Sequence, residues 1–324
     1  MGLHLIPPDA PPSAQPKTSA SLAVKPAGGA QPPARHRRFL PSYRFWFALP
    51  AVAMMLFFFG LPFVANAVLS FTKWTGFSNT IKFYGFSNFV NLAKLGILGH
   101  ATLVTVLFAV TTMAGQNVVA LLLSKALQET NRTNSIFRSI YFIPVLISPL
   151  AAGYIWGAIL SAHGPINAAI SWFSPGFTYN WLGHTPWALL FVGLIDAWKW
   201  SGLVTLVYIA GLNSINKSVI EASILDGTTA WQRFRRIEMP LLAPSFTFNI
   251  VITLVGSFNA LDVIFATTKG GPGNATSVLN AAVFAQYGEG LFSSSSALSF
   301  MIALLVIIVA IPLLTVLRKR EMAA

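Results

Sequence analysis

Two ionisable residues lie inside a long apolar run of this chain, where charged groups are rare. Asp196 and Lys199 carry opposite charges and are three positions apart, so on a helix they share a face and can pair. An isolated charge at the middle of a bilayer costs about 2.5–3.5 kcal/mol on insertion scales, and pairing lowers that cost. The spacing therefore predicts an ion pair within the membrane. Two roles stay open for the pair: a structural link between helices, or one wall of a polar cavity beside Trp198 and Trp200.

A later apolar run carries further polar side chains that can form hydrogen bonds. Asn249, Thr253 and Gly256 fall on one face by the 3.6-residue period of a helix, whereas Asn259 and Asp262 lie towards another face. A small residue such as Gly256 predicts close packing between helices. Asn259 and Asp262 are the better candidates for binding hydroxyl groups, although Asp262 can equally cap a helix or pair locally.

Enzymatic chemistry finds no support in the sequence. The GxxxxGK[ST] phosphate loop is absent, so no nucleotide site is predicted. The five histidines show no HExxH or other ligand spacing, and there is no cysteine, so neither a metal site nor a disulfide is predicted. No Ser, His and Asp set lies in a recognisable hydrolase context. We therefore do not expect an enzyme.

The composition places the chain among membrane proteins. Hydrophobic residues make up 55% of its 324 residues and charged residues only 9%. The basic residues lie at the ends of apolar runs rather than on one soluble face, which argues against nucleic-acid binding. A helix needs about 20 apolar residues to cross a bilayer. Six runs are long enough and predict an all-α membrane protein with six transmembrane helices, near residues 45–70, 101–123, 137–160, 187–210, 242–266 and 297–317.

Proline residues interrupt several of these runs. Pro144 and Pro149 lie in the third run, and Pro244 begins the fifth. Such breaks survive in a membrane only where neighbouring helices or a lined cavity satisfy the freed backbone groups. They fit kinked helices around a pathway and simple helix packing equally well.

Lysine and arginine residues set the orientation, because they accumulate on the cytoplasmic side of membrane proteins. With both termini inside, most of these residues lie in the predicted cytoplasmic tails and connections. The opposite side has only Lys73, Lys82, Lys94 and Lys269. Both termini and the connection that contains Glu221 are therefore predicted to be cytoplasmic.

The first 38 residues form a separate region. Residues 1–38 are rich in Pro, Ala, Ser and Gly, a composition that predicts a disordered cytoplasmic tail. The region lacks the short apolar core and cleavage site of a secretory signal, so the first apolar run is expected to remain as a helix. Residues 39–324 are then expected to form the six-helix transmembrane domain.

The connection between the fourth and fifth runs is polar and twice interrupted. From Glu221 to Pro240 it reads EASILDGTTAWQRFRRIEMP. A short helix is predicted to end at Asp226 and Gly227, because glycine accepts a backbone conformation that other residues resist. The connection is where a membrane protein can meet a soluble partner.

A second short helix is predicted further along this connection. Trp231 and Phe234 give it an apolar face. Arg233, Arg235 and Arg236 fit either anchoring at the membrane surface or contact with a partner.

This connection resembles the EAA loop of the permease subunits of bacterial ABC importers. The match rests on a carboxylate, a small residue, an Asp-Gly break and a downstream proline at fixed spacing, namely Glu221, Ala222, Asp226, Gly227, Ile237 and Pro240. Ser223 and Met239 stand where the pattern has Ala and Leu. The alternative is an ordinary helix–turn–helix connection.

The rest of the chain, from about Tyr43 to Arg320, is similar to the sugar-type permeases of these importers. The similarity is carried by SFTKW at 70–74, YGFSNF at 84–89, FRSIYFIPVLISP at 137–149, the pair at 198–199, and FNALD at 258–262 leading into GGPGNAT at 270–276. The last of these motifs is the more specific for sugar importers.

The resemblance implies a type I importer permease for a di- or oligosaccharide, with many passes through a bacterial cytoplasmic membrane. It implies a homologous second permease, two cytoplasmic ATPase subunits that bind ATP and Mg²⁺, and an extracytoplasmic solute-binding protein. This chain itself is expected to bind no cofactor or metal.

The resemblance implies one set of functional residues, and the polar positions in the apolar runs suggest another. Contacts with the ATPase fall in the 213–240 segment, on Glu221, Ala222, Ser223, Asp226, Gly227, Trp231, Phe234 and Pro240. Candidates for the substrate pathway are Asp196, Trp198, Lys199, Asn249, Thr253, Asn259 and Asp262.

Three other functions remain open from the sequence. A permease for glycerol phosphate or another polyol would place several unpaired basic residues in its cavity, and only Lys199 is visible in an apolar run. An ion-coupled secondary transporter or channel would carry more intramembrane carboxylates. A membrane anchor for a soluble complex is the third.

Overall fold

The computed structural model describes residues 44–185 and 187–321. The chain divides into two units, Met1–Val52 and Ala53–Ala324, and all contacts given below lie within the second. The predicted disordered tail at residues 1–38 lies outside the described residues. The described chain is helical apart from one short antiparallel pair, in which β1 (Thr72–Lys73) pairs with β2 (Lys82–Phe83).

Helices follow one another along both halves of the chain. Those before residue 186 are α1 (Arg44–Met55), π1 (Leu56–Gly60), α2 (Leu61–Ser70), α3 (Ser87–Lys94), α4 (Ile97–Leu127), α5 (Arg132–Leu146), α6 (Pro149–Ile159) and α7 (Pro165–Ser171). Those after it are α8 (Trp187–Ser214), α9 (Lys217–Leu225), α10 (Ala230–Arg233), π2 (Phe234–Glu238), α11 (Met239–Leu241), α12 (Ala243–Phe258), α13 (Asp262–Thr267), α14 (Leu279–Gly288) and α15 (Phe292–Glu321).

Four stretches of the described chain are long and apolar enough to cross a membrane as single helices. They are Ala48–Ser70, Ile97–Leu127, Trp187–Ser214 and Phe292–Lys319. They correspond to the first, second, fourth and sixth predicted runs. Two bent helix pairs, α5 with α6 and α10–α11 with α12, bring the number to six when each pair is counted as one span, which agrees with the six predicted runs.

The third predicted run, 137–160, is not one helix. The axes of α5 and α6 differ by 99°, and the chain turns at Ile147 and Ser148. The residue before a proline is disfavoured in the α conformation, which explains a break immediately before Pro149. The Ser148 hydroxyl then accepts a hydrogen bond from the backbone N–H of Ala151 at 3.2 Å and caps α6.

The prediction that the fifth run continues as one helix to residue 266 is wrong. A 69° bend separates α10–α11 from α12, and α12 stops at Phe258. The chain restarts as the separate helix α13, whose Val263 and Ile264 are buried in the core. These two apolar residues pack with α4 and α8 only because the chain changes direction after Phe258.

α4 is the central helix of the bundle. It contributes Phe108 to a cluster with α8 and α13, Ala109 to a cluster with α12 and α15, and Ala120 to a cluster with α8. A helix buried on several sides has no single apolar stripe. α4, α8 and α12 therefore meet in the interior and position the polar side chains of the site.

Candidate functional site

A cavity of about 240 Å³ lies between α4, α8 and α12. Its accessible lining is mostly apolar and includes Leu203, Val204 and Ile252. Gln116, Asp196, Trp200, Thr253 and Ser257 add an amide, a carboxylate, an indole and two hydroxyl groups to the wall, beside Gly256. These side chains can donate and accept hydrogen bonds. We call it the central cavity.

The predicted ion pair between Asp196 and Lys199 is wrong. Both residues are buried, but among the described residues the only ion pairs within 4.0 Å are formed by Glu238. The Lys199 ammonium instead donates a hydrogen bond to the Val145 carbonyl at 3.4 Å and lies 3.8 Å from the centre of the Trp200 ring.

The break after α5 explains the partner of Lys199. Val145 lies in the last turn of α5, where the backbone carbonyls accept no hydrogen bond from within the helix. A cation is favoured at such a helix C-terminus and over an indole face. Lys199 is therefore engaged by the bundle, and Asp196 is left on the cavity wall.

The two tryptophans that follow Asp196 have separate surroundings. Trp200 lines the central cavity, whereas Trp198 packs edge-on against Trp156 with ring centres 5.4 Å apart. Residues two positions apart in a helix point in directions about 200° apart, so Trp198 and Trp200 cannot both face one cavity. Trp198 is thus not brought to the site, although the sequence singled it out as a pathway candidate.

Gln116 is a cavity residue that the sequence analysis missed. It is buried in α4 and faces Asp196 and Thr253 across the cavity. Its signal was present, since an amide in the middle of a long apolar run must find a polar environment.

Asn249 and Thr253 belong to a hydrogen-bond network that ties three helices together. The Tyr208 hydroxyl donates to Asn117 Oδ1 at 2.6 Å, and Asn117 Nδ2 donates to Thr253 Oγ1 at 3.4 Å. Asn249 Nδ2 donates to the Val204 carbonyl at 3.3 Å. Thr253 serves both the network and the cavity wall, whereas Asn249 serves the packing of α12 on α8.

Gly256 has a different role from the one predicted. A Cβ atom placed there would meet nothing within 4 Å, so this glycine does not mediate close helix packing. It widens the central cavity instead.

Asn259 and Asp262 are not brought to the central cavity. Asn259 follows the last residue of α12, and its exposed amide donates to the Val255 carbonyl at 3.0 Å. Asp262 is exposed in the first turn of α13, where a carboxylate is favourable. Asn259 lies at the end of α12 about 200° around the helix from Ser257, and the break before α13 separates Asp262 from Thr253 and Ser257.

The first half of the 213–240 segment forms the predicted short helix. Helix α9 is capped by Asn216 and ends before Asp226 and Gly227, whose φ is +73°. Glu221 and Ala222 are exposed, whereas Ser223 is buried and accepts a 2.7 Å hydrogen bond on its carbonyl from the Thr228 hydroxyl. The turn after α9 is therefore fixed from inside the segment.

The second half of the segment begins with a capping box between Thr229 and Gln232. The Trp231 ring lies 5.9 Å from the Phe234 ring, and Trp231 is 66% exposed. Leu225, at the end of α9, is 88% exposed. Pro240 is exposed within α11.

Glu238 is the second residue that the sequence analysis missed. It is buried, and its carboxylate binds Lys125 of α4 at 2.6 and 2.8 Å. Arg233, for which a surface or partner contact was expected, points to the same carboxylate with Nε 3.7 Å from it, while Arg235 and Arg236 are exposed. Glu238 stands alone among basic residues in the sequence, which was the available signal.

Metal binding has no support in the geometry of the described residues. Between residues 44 and 321, apart from the undescribed position 186, no group of three or more His, Asp or Glu side chains is placed to hold a metal ion.

The sequence relatives of this chain are transport permeases. It is 31% identical over 244 residues to the "Probable starch degradation products transport system permease protein" of Thermoanaerobacterium thermosulfurigenes, covering 74% of this chain and 82% of that protein. It is 27% identical to the trehalose/maltose transport system permease protein of Thermococcus litoralis, covering 84% of this chain and 92% of that protein.

A solved structure shares the fold. A chain of a bacterial alginate ABC transporter, crystallised in complex with an alginate pentasaccharide-bound periplasmic protein, superposes with a TM-score of 0.74. The alignment covers 86% of this chain and 94% of that chain at 20% identity. The predicted type I importer permease fold is thereby confirmed.

Residues 116–320 match the family described as "Binding-protein-dependent transport system inner membrane component". The matched region contains the central cavity and the whole 213–240 segment. Because it covers more than half of the chain, this protein belongs to the family of binding-protein-dependent transport system inner membrane components.

Proposed function

We propose that this chain is a permease subunit of a binding-protein-dependent ABC importer for a di- or oligosaccharide. The family match over residues 116–320 carries the proposal, because it unites the central cavity and the 213–240 segment in one transport component. The relatives named for starch degradation products and for trehalose or maltose support a sugar as the substrate.

The central cavity has the chemistry to border the route of a sugar. Asp196, Gln116 and Thr253 can hydrogen-bond hydroxyl groups, and Trp200 adds an apolar ring. Its volume of about 240 Å³ is below the roughly 300–1,000 Å³ of typical ligand pockets. A homologous second permease would complete the route, which agrees with a cavity of this size in one subunit.

The 213–240 segment fits a docking role. Glu221, Ala222 and Leu225 are exposed on α9, and Trp231 is exposed on α10. Large apolar side chains on a polar connection are typical of contact surfaces. Two ATPase subunits that bind ATP and Mg²⁺ would contact this surface, so that hydrolysis is their chemistry and not that of this chain.

The distribution of basic residues supports a cytoplasmic location for both termini and for the 213–240 segment. Lys125, Lys217 and Arg235 lie near this segment or within it. Such residues are retained on the cytoplasmic side. An extracytoplasmic binding protein would then deliver the sugar to the opposite face.

Uptake of labelled maltose and maltotriose into vesicles tests the proposal. The chain is reconstituted with a second permease, the ATPase and the binding protein from the same organism. We expect uptake that requires internal ATP and the binding protein. Uptake driven by an ion gradient without ATP would favour a secondary transporter, and ATP-dependent uptake of glycerol phosphate but no sugar would favour the polyol-phosphate alternative.

A further inference from the structure

The carboxylate of Glu238 is the meeting point of two parts of the chain. Glu238 is the last residue of π2, which α11 joins to α12, and its side chain is 5% exposed. Lys125 lies in the last turn of α4, 113 residues away, and its Nζ donates to Oε1 at 2.8 Å and to Oε2 at 2.6 Å. One ammonium thus holds both carboxylate oxygens.

Two neighbouring side chains complete this cluster. Arg233 Nε is buried without a hydrogen-bond partner and lies 3.7 Å from Glu238 Oε1, so a second cation faces the same carboxylate. The Phe234 ring centre is 5.8 Å from Lys125 Nζ. Removing one partner of a buried ion pair leaves an uncompensated charge, so the contact resists separation.

We propose that Glu238, held by Lys125, is the positioning residue through which movement of the 213–240 segment reaches the central cavity. The segment and α4 move together while the carboxylate stays bound. α4 carries Gln116 on the cavity wall, and α12, which begins five residues after Glu238, carries Thr253 and Ser257. This inference rests on the proposed function, since it assigns the link between an ATPase-facing segment and the substrate route.

The test uses the complete transporter in lipid and compares single with double variants. Glu238→Gln leaves Lys125 and Arg233 without their carboxylate, and Lys125→Met leaves Glu238 with the more distant Arg233 alone, whereas the double variant removes both members of the closest pair. We expect each single variant to lower both the thermal midpoint and the substrate-stimulated ATPase rate, the latter by about fivefold or more, the lower bound of usual coupling effects. The double variant should regain the thermal midpoint and still lack the stimulation.

Two further variants serve as controls. Lys125→Arg keeps the cation and should keep the stimulation. Glu129→Gln removes an exposed carboxylate from the connection that follows α4 and should behave as the unaltered protein. A merely structural ion pair would let the double variant regain stability and stimulation together, and that result would overturn the proposal.

The same measurements separate this inference from the proposed function. Unaltered stimulation in Glu238→Gln, with sugar uptake intact, would overturn the link and leave the importer function standing. A complex of unaltered subunits with no sugar-stimulated hydrolysis and no uptake would overturn the proposed function, and the link with it.

Discussion

The bundle interior and the 213–240 segment are stabilised in different ways. In the interior, Tyr208 and Asn249 are fully buried and hydrogen-bonded to residues of neighbouring helices. In the segment, Leu225 and Trp231 are largely exposed. Side chains of the interior bond to neighbouring helices of the same chain, whereas the segment presents apolar surface outside the bundle, as contact surfaces do.

The two regions also differ in how they hold their carboxylates. Glu238 is bound at both oxygens by Lys125. Asp196 forms no ion pair with the described residues, because Lys199 is turned to the Val145 carbonyl. One carboxylate is held by a cation within the chain, and the other lies on the cavity wall. The predictions below test these two contrasts.

Filling a tight contact in the interior should have the largest effect. A Cβ atom on Gly202 of α8 would lie 2.3 Å from the Tyr141 carbonyl oxygen of α5. Overpacking usually costs about 1–3 kcal/mol, and a contact with rigid backbone belongs at the upper end. We expect Gly202→Val to yield little monodisperse protein after detergent extraction, measured by size-exclusion chromatography.

Gly256→Ala is a control for adding a Cβ atom to a glycine of the bundle where there is room for it. It adds a methyl group on α12 where nothing lies within 4 Å, so its recovery should equal that of the unaltered protein. If Gly202→Val were recovered as well as the unaltered protein, the contact between α5 and α8 would tolerate added volume, and the interior would not be tightly packed there.

Changes in the 213–240 segment should spare the fold and impair assembly. Gly227 has φ +73°, which proline cannot adopt, and its N–H donates to the Ile224 carbonyl at 3.0 Å. Ala222 is exposed, so Ala222→Trp alters only the outer surface of α9. We expect Gly227→Pro and Ala222→Trp to enter the membrane normally but to lose ATPase subunits on co-purification, or to lose at least about fivefold in stimulated hydrolysis.

Glu129→Gln, at an exposed position outside the segment, serves as the control for these variants. Full subunit recovery together with full stimulation in both Gly227→Pro and Ala222→Trp would exclude the segment as the coupling element.

The sequence predicted features that depend on neighbouring residues along the chain. Apolar runs of sufficient length gave the spans, and Asp226 with Gly227 gave the end of α9. The bend before Pro149 also depends on neighbouring residues, because a residue that precedes proline disfavours the α-helical conformation.

The sequence did not predict features that depend on contacts between residues far apart along the chain. Val145 is 54 positions from Lys199, and Lys125 is 113 positions from Glu238. An i, i+3 spacing shows that Asp196 and Lys199 can pair, but not that a broken helix offers Lys199 another acceptor. The break before α13 likewise ends the helical periodicity on which the predicted position of Asp262 depended.

The smallest expected effect is the energetic coupling between Asp196 and Lys199. It tests whether Asp196, unlike Glu238, is free of an ion pair. Asp196→Asn should lower sugar uptake with protein recovery unchanged, because the carboxylate lies on the cavity wall and in no ion pair with the described residues. Lys199→Met should lower recovery, because its ammonium satisfies the Val145 carbonyl. Since Lys199 bonds the Val145 carbonyl and forms no ion pair with Asp196, the double variant should be no more stable than Lys199→Met alone. A direct buried ion pair would instead make the double variant clearly more stable than either single variant. Thermal midpoints and uptake rates of the three variants, measured in the same lipid, therefore separate a carboxylate that serves the substrate route from one that serves the fold.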